Sequence, residues 1–301
     1  MTEFAAHRVV HAHAKINLVL RILAREATGY YSIETVFQRL ALHDVVRVDV
    51  GGHERTLSCS GPAMPSVGLG ADEDNLAWRA ASAYVAASAW DVGWRIGIDK
   101  HIPVGGGLGG GSADAAAVLR AMEAMSPSPL GESTLLSLAG TLGADVPFCV
   151  TGADLALAWG RGDRLFALPA LPHMAVTLIT CADGVNTAHA YAELTRQRAR
   201  SAHSDARGAH AYAPNAFASW ESVCRVATND FEFVVGGFHH GVAATLLRVR
   251  AAADHIAQSG EPAIGMMSGS GATCVVVHPE HVAVDLDGID PSTIVRTVTT
   301  S

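Results

Sequence analysis

Pro103-Val-Gly-Gly-Gly-Leu-Gly-Gly-Gly-Ser-Ala-Asp-Ala-Ala-Ala117 decides how this chain is read. Six of these residues are glycines, in two blocks separated by Leu108. A strand-like segment, Trp94-Arg-Ile-Gly-Ile98, precedes the run, and an alanine-rich, helix-favouring segment from Ala113 to Met125 follows it. Strand, glycine loop and helix start together suit the backbone to wrapping an anion. Glycine lets consecutive N–H groups converge with no Cβ in the way. The helix N-terminus adds unpaired donors and a partial positive charge. Ser112 stands where a helix cap stands, or where a hydroxyl reaches a phosphate or a metal.

Other anion loops fit less well. Gly105, Gly107 and Gly110 satisfy G-x-G-x-x-G literally. A dinucleotide fold also wants an acidic residue about 20 positions on, where this chain has the breaker cluster Ser126-Pro-Ser-Pro-Leu130. The run also lies well inside the chain rather than in an opening βαβ unit. A P-loop ends in Gly-Lys-Ser/Thr, and Gly111-Ser112-Ala113 offers no lysine. A flexible linker is polar and lacks apolar strand and helix patterns on its flanks. What remains is a nucleotide-triphosphate loop of a third type.

Composition bounds the rest. At 301 residues, 49% hydrophobic and 17% charged, the chain reads as globular and able to bury a large core. A formal charge of −8 argues against a general nucleic-acid or anionic-membrane surface, so an anionic substrate needs a local positive site. The five cysteines (59, 149, 181, 224 and 274) form no C-x-x-C, which suits reduced, packed thiols in a cytoplasmic protein. The opening Met-Thr-Glu-Phe does not look like a secretory leader. The most hydrophobic windows are broken by Arg79, Asp91 and Arg95, so no membrane span is expected. Fifteen histidines raise a metal question. His7 and His11 are four apart, but on a strand-like segment, where that spacing does not make a helical zinc pair. His239/His240 and His278/His281 lack the spacing too, so solvated or packed histidines are expected.

Along the chain, residues 8–24 alternate as a strand does, and Thr35 to Val50 reads as two strands joined at His43-Asp44. Helices are expected over Asn75–Ala89, opened by Asp72-Glu73-Asp74 as caps, over 112–125, and from Ser133 to a stop at Gly143. Leu155–Leu168 reads as a hairpin around Gly160-Arg161-Gly162-Asp163, and Met174–Thr180 as a strand. Further helices are expected at about 215–228, 230–236 and 242–259, and Gly265–Val277 as a glycine turn feeding a strand. Residues 196–216 lack periodicity and read as a mobile loop or a frayed helical extension. The mixture is α+β, with a domain boundary near Pro169–Pro172 that divides 1–168 from 169–301.

Three positions stand out chemically. Lys15 lies on an otherwise apolar strand, where a lysine must snorkel or find a partner. Asp145 sits in a tight Gly-Ala-Asp-Val-Pro turn, as a cap or turn residue would. Gly269-Ser270-Gly271 is a second glycine turn, readable as an ordinary hairpin.

Pro103 to Ala113 resembles the central motif of the GHMP kinases, and other stretches match that family in order and spacing. They are Ala14-Lys-Ile-Asn-Leu18, Thr28-Gly-Tyr30, Thr35-Val-Phe-Gln38, Asp74-Asn-Leu76, Leu142-Gly-Ala-Asp-Val-Pro-Phe148, Gly160-Arg-Gly-Asp163, Asp183-Gly-Val-Asn-Thr187, Asn229-Asp-Phe-Glu232 and Met267-Ser-Gly-Ser-Gly-Ala-Thr273. Leu-Gly-Ala-Asp-Val-Pro-Phe and Asn-Asp-Phe-Glu resemble one branch, the 4-diphosphocytidyl-2-C-methyl-D-erythritol kinases. The resemblance runs from about residue 10 to 277.

It implies a two-domain GHMP fold, with mixed and antiparallel sheets plus helices and an active site in the cleft between domains. It implies ATP and Mg²⁺ as cofactors and a phosphorylated or cytidylylated alcohol as substrate, with no nucleic acid or membrane partner, in a monomer or homodimer. Lys15 and Asp145 would be catalytic. The aspartate would take the proton of the substrate hydroxyl, and the cation would keep it ionised and stabilise the transferring phosphoryl group. Asn75, Lys100, Pro103, Gly105, Gly106, Gly107, Leu108, Gly109, Gly110, Gly111 and Ser112 would hold the nucleotide, with Ser112 also near the metal. Asn17, Tyr30, Tyr31, Asn186, Thr187, Gly269, Ser270 and Gly271 would hold the substrate. One position departs from the family, which usually has Gly-Tyr-His where this chain has Gly29-Tyr30-Tyr31. A tyrosine keeps a π-face and a hydroxyl but loses imidazole geometry at the cytosine. Another small alcohol or phosphorylated alcohol is therefore the alternative substrate of such a kinase. A relative that only binds nucleotide is a further alternative, disfavoured by intact Lys15, Ser112 and Asp145.

Overall fold

The structure is a computed structural model that describes residues 6–27, 29–200, 212–213 and 215–301. Thr28 of the Thr-Gly-Tyr motif, and 201–211 and 214 of the segment expected to be a loop or frayed helix, lie outside the described residues. The chain divides into two compact units, one made of 1–14, 42–104 and 109–153, the other of 15–41, 105–108 and 154–301.

Two long strands, β1 (Ala6–Arg25) and β2 (Tyr31–Val50), each run through both units. In the first unit, β4 (Trp94–Asp99) pairs antiparallel with Val45–Val50 of β2 and parallel with β3 (Arg55–Ser60). This sheet buries Val46, Val48, Trp94, Ile96 and Ile98 against α1 (Leu76–Ser88) and α2 (Gly110–Met125). Alanines on both helices (Ala77, Ala80 and Ala81; Ala115, Ala116 and Ala117) are buried in this core, where their small size allows close packing, and Tyr84 and Leu119 are buried with them. Then come α3 (Glu132–Leu142), stopped at Gly143, and the short α4 (Val146–Thr151), with Pro147 in its first turn, where a missing N–H does no harm.

In the second unit, β5 (Leu155–Gly160) pairs antiparallel with Ile33–Gln38 of β2 and with β6 (Arg164–Leu168), the expected hairpin. β7 (Ala175–Thr180) lies in a separate four-stranded antiparallel sheet. The helices here are α5 (Thr187–Arg200), α6 (Trp220–Cys224), α7 (Phe231–Gly236) and α8 (His240–Gln258). Between α6 and α7, β8 (Thr228–Asn229) pairs parallel with β1 at Val19 and Leu20. β9 (Ile264–Met267), β10 (Thr273–His278) and β11 (Ile294–Thr299) complete the four-stranded sheet in the order β11-β7-β10-β9. Its core joins Ile179, Cys274 and Val276 to Phe231, Val234, Val242, Leu246 and Val249.

Four expectations are corrected. β2 is one unbroken strand rather than two joined at His43-Asp44. Asp44 reads as a turn residue by composition, but it is fully buried and its carboxylate is satisfied by other elements. Helix α1 is capped by Asn75, whose side chain accepts from Ala77 N at 2.9 Å, while Asp72–Asp74 form a separate 3-10 turn. Helix α2 begins two residues before Ser112, so its cap is Gly109, with φ +74, and Ser112 lies inside the first turn. The helix expected over 215–228 is cut to α6, because Thr228–Asn229 are drawn into pairing with β1.

Candidate active site

In the second unit, Lys15 and Asn17 point to the same face of β1, as residues two apart on a strand do. Lys15 is only 3% exposed, so its ammonium must be solvated by protein. Nζ donates to Asn17 Oδ1 at 2.8 Å and to the Gly107 carbonyl at 3.3 Å, and lies 5.5 Å from the centre of the Phe37 ring. Asn17 Nδ2 in turn donates to Thr35 Oγ1 (2.8 Å), which donates to the Val19 carbonyl (2.6 Å). This relay fixes the amide so that its oxygen faces the lysine.

The two glycine runs interlock beside it. The turn after β9 is closed by Gly271 N to the Ser268 carbonyl at 3.0 Å. Ser268 Oγ donates to the Gly107 carbonyl at 3.0 Å, and Thr273 N to the Gly106 carbonyl at 3.2 Å. A Cβ on Gly107, which has φ +76, would lie 2.3 Å from the Ser268 carbonyl oxygen. One on Gly269, with φ +57, would lie 2.9 Å from the Gly107 oxygen. Both positions must therefore be glycine, for space and for backbone conformation together. Gly105 differs: its φ is +72, but among the described residues nothing other than its chain neighbours lies within 4 Å of where its Cβ would be. Asn229 holds the second turn, with Nδ2 donating to the Met267 and Gly269 carbonyls at 2.8 Å each, while its Oδ1 accepts from Phe231 N. Thr187 Oγ1 and Ser270 Oγ share a hydrogen bond of 2.7 Å. Asn186 Oδ1 accepts from His189 N in the first turn of α5.

In the first unit, α2 starts at Gly110 with no side chain capping it, and its first internal bond runs from Ala113 N to the Gly109 carbonyl. The N–H groups of Gly110, Gly111 and Ser112 precede that bond, so they have no partner within the helix and carry its positive dipole end. Lys100 lies beneath. It is buried and donates to Asp114 Oδ2 at 2.6 Å and to Asp44 Oδ2. Asp44 Oδ1 accepts from His101 N at 2.5 Å and Ile102 N at 2.8 Å. Burial lowers the affinity of Lys100 for its proton, but Asp114 and Asp44 outweigh it, and its pKa ends above the usual lysine value. Burial pushes the Asp114 carboxyl up, with Lys100 opposing and Asp44 adding to the rise, and Asp114 Oδ1 has no hydrogen-bond partner among the described residues. Lys100, expected at the nucleotide, is paired with two buried carboxylates. Asn75 caps α1.

Asp145 is half-buried at the start of α4, in the first unit. The two tyrosines divide. Tyr30 is 63% exposed, with the Arg161 guanidinium 4.5 Å over its ring. Tyr31 is 7% exposed, near-parallel to Tyr191 at 5.8 Å, with its hydroxyl 2.9 Å from Thr195 Oγ1 and Arg198 over its ring.

Thr35, Phe37 and Asn229 belong to this site and lay inside quoted motifs, but no role could be read for them from sequence. Asp44 and Asp114 carried no signal beyond being acidic residues in apolar surroundings.

The family described as GHMP kinases N terminal domain matches residues 75–153, which contain the loop, α2 and Asp145. The 4-diphosphocytidyl-2-C-methyl-D-erythritol kinase of Desulfitobacterium hafniense is 43% identical over 180 residues, 60% of this chain and 59% of that protein. The protein of the same name from Pelobacter propionicus is 36% identical over 264 residues, 87% of this chain and 86% of its own. A crystal structure of 4-(cytidine 5'-diphospho)-2C-methyl-D-erythritol kinase superposes with a TM-score of 0.72 at 30% identity, covering 97% of this chain and 99% of that one.

Proposed function

Because this chain belongs to the GHMP kinases, in the branch of the 4-diphosphocytidyl-2-C-methyl-D-erythritol kinases, we propose that it transfers the γ-phosphoryl group of ATP to the 2-hydroxyl of 4-diphosphocytidyl-2-C-methyl-D-erythritol. The observation that carries this reading is the buried Lys15, held by Asn17 and by the Gly107 carbonyl of the loop. A lysine is kept in a protein interior when its charge is used, and phosphoryl transfer uses it on oxygens that gain charge.

The loop suits a triphosphate. Gly105 leaves open space, and the start of α2 offers successive N–H donors with no carboxylate in its first turn. Lys15 neutralises charge on the transferring group, Asp145 accepts the proton of the attacking hydroxyl, and the Ser112 hydroxyl would serve the metal. Mg²⁺, brought in with ATP, would supply positive charge to offset that developing on the phosphoryl group. Tyr30, with its exposed ring, offers a stacking face to the cytosine. The Thr187–Ser270 pair and the Gly269–Gly271 turn close on the substrate, as does Asn186.

The deciding experiment is turnover of ATP with the cytidyl substrate beside mevalonate, homoserine and isoprenoid alcohols, with ³¹P NMR locating the new ester. Turnover of another alcohol but not of the cytidyl compound would overturn the substrate and leave the phosphotransferase reading standing.

The division into 1–168 and 169–301 is proposed as the domain boundary. Its support is that β5 and β6 find their partners before residue 168, while β7, β9, β10 and β11 form one sheet after it. A cytoplasmic location is proposed on the five free cysteines. Among the described residues no helix is long and apolar enough to cross a membrane.

A further inference from the structure

We propose that His11, His13 and His43 form a transition-metal site, of the kind that takes Zn²⁺, on the sheet of the first unit. β1 and β2 are neighbours in that sheet. His11 and His13 are two apart on β1, so they share a face, and the intervening Ala12 is buried in the core behind them. On β2 the pattern repeats: Leu42 and Asp44 are buried, and His43 between them is turned to the other side. One nitrogen from each imidazole lies within 4.8 Å of the others. The His11 and His43 rings stack at 4.1 Å and 18°, and the His13 ring is 5.1 Å from that of His43.

A tetrahedral zinc with bonds of about 2.0–2.1 Å needs its nitrogens roughly 3.3 Å apart. The stacked His11 and His43 rings must therefore turn about their side-chain bonds to converge on one ion, and His11 is exposed. Three imidazoles with no carboxylate suit Zn²⁺, Cu²⁺ or Ni²⁺ rather than Mg²⁺, which prefers oxygen ligands. The site is therefore chemically distinct from that of the nucleotide's magnesium. Three protein ligands leave a fourth position for water. A bound ion would tie β1 to β2 two residues before Lys15 and one before Asp44. Sequence spacing offered only His7 and His11, which it set aside, and led to an expectation of solvated or packed histidines. The separation of four that aligns ligands on a helix has its strand equivalent at two, which is the spacing of His11 and His13.

The test is titration of the metal-stripped, full-length protein with Zn²⁺ by calorimetry, and with Co²⁺ by visible absorption. The wild type is expected to bind one equivalent, with the intense d–d bands of four-coordinate cobalt, and to melt at a higher temperature with Zn²⁺ present. His11→Ala and His43→Ala should each weaken binding by roughly a hundredfold or more, since a direct ligand matters more than the outer-shell partners whose loss costs 10–100-fold. His255→Ala, an exposed histidine on α8, should change nothing. Absence of saturable one-equivalent binding, or equal binding by wild type and His11→Ala, would overturn the proposal and leave the three rings as cross-strand packing. If His43→Ala fails to fold, the exposed His11 variant decides alone.

Discussion

Lys100→Met removes the cation between two buried carboxylates and keeps the length of the side chain. Lys100 and Asp44 are 3% and 0% exposed, so water cannot replace the lost charge. Asp44 retains the His101 and Ile102 N–H groups. Asp114 retains nothing comparable, because Lys100 holds one of its oxygens and the other has no partner among the described residues. The deficit therefore falls mainly on Asp114. Breaking a buried pair from one side costs about 3–5 kcal/mol. At about 2–4 °C per kcal/mol for a domain of this size, the melting temperature should drop by about 6–20 °C at pH 8.

The pH dependence gives the sharper check. The Asp114 pKa is already raised in the folded protein by burial. Without Lys100 it rises further above its unfolded value of about 3.9. Between those two values the folded state holds a proton that the unfolded state has released, so stability falls as pH rises through the window. The variant should accordingly recover toward wild type as pH is lowered, by up to about 1.4 kcal/mol per unit. Lys100→Met with Asp114→Leu should recover most of the loss at every pH, because an apolar pair can replace a buried ion pair at little net cost. Thermal melts of the three proteins from pH 5 to 8, with KM for ATP measured beside them, decide the matter. A near-wild-type melting temperature with KM raised tenfold would refute the anchoring role and return Lys100 to the nucleotide.

Asp145→Asn should lower kcat by about two to four orders of magnitude, the range for a positioned base, with an unchanged melting temperature; near-wild-type kcat would remove Asp145 from the chemistry. Gly107→Ala should fold poorly, because its Cβ meets the Ser268 carbonyl at 2.3 Å. Gly105→Ala has open space, so it should lose only about 1–2 kcal/mol to its left-handed backbone and show its effect in KM for ATP; equal folding yields and melts would contradict this. Tyr31→Phe should lose about 1 kcal/mol with the Thr195 hydrogen bond, and Tyr31→Ala about 3–5 kcal/mol with the ring. A KM for the cytidyl substrate that rises in both while stability holds would put Tyr31 at the base instead of in the core.

The sequence by itself determined the glycine loop, the strand before it and the helix after it. These are local features, written in residue types that no other backbone conformation explains. Helix ends marked by Gly143 and the hairpin around Gly160–Asp163 were legible for the same reason. Lys15 was legible as an anomaly, a charge on an apolar strand, although its partners were not. Where a polar residue faced inward, local reading misled. His43-Asp44 looked like a turn, yet Asp44 is held by Lys100, 56 positions away. Lys100, which the resemblance places at the nucleotide, faces two carboxylates that no local pattern announced. Ser112 looked like a cap, and a glycine with positive φ opens the helix before it. The pairing of Gly107 with the Ser268–Gly271 turn, and of His13 with His43, also depends on contacts between residues far apart in sequence. A buried charge or a missing Cβ is defined by what lies opposite it. Sequence names only the neighbours along the chain, and tertiary structure alone supplies the ones across it.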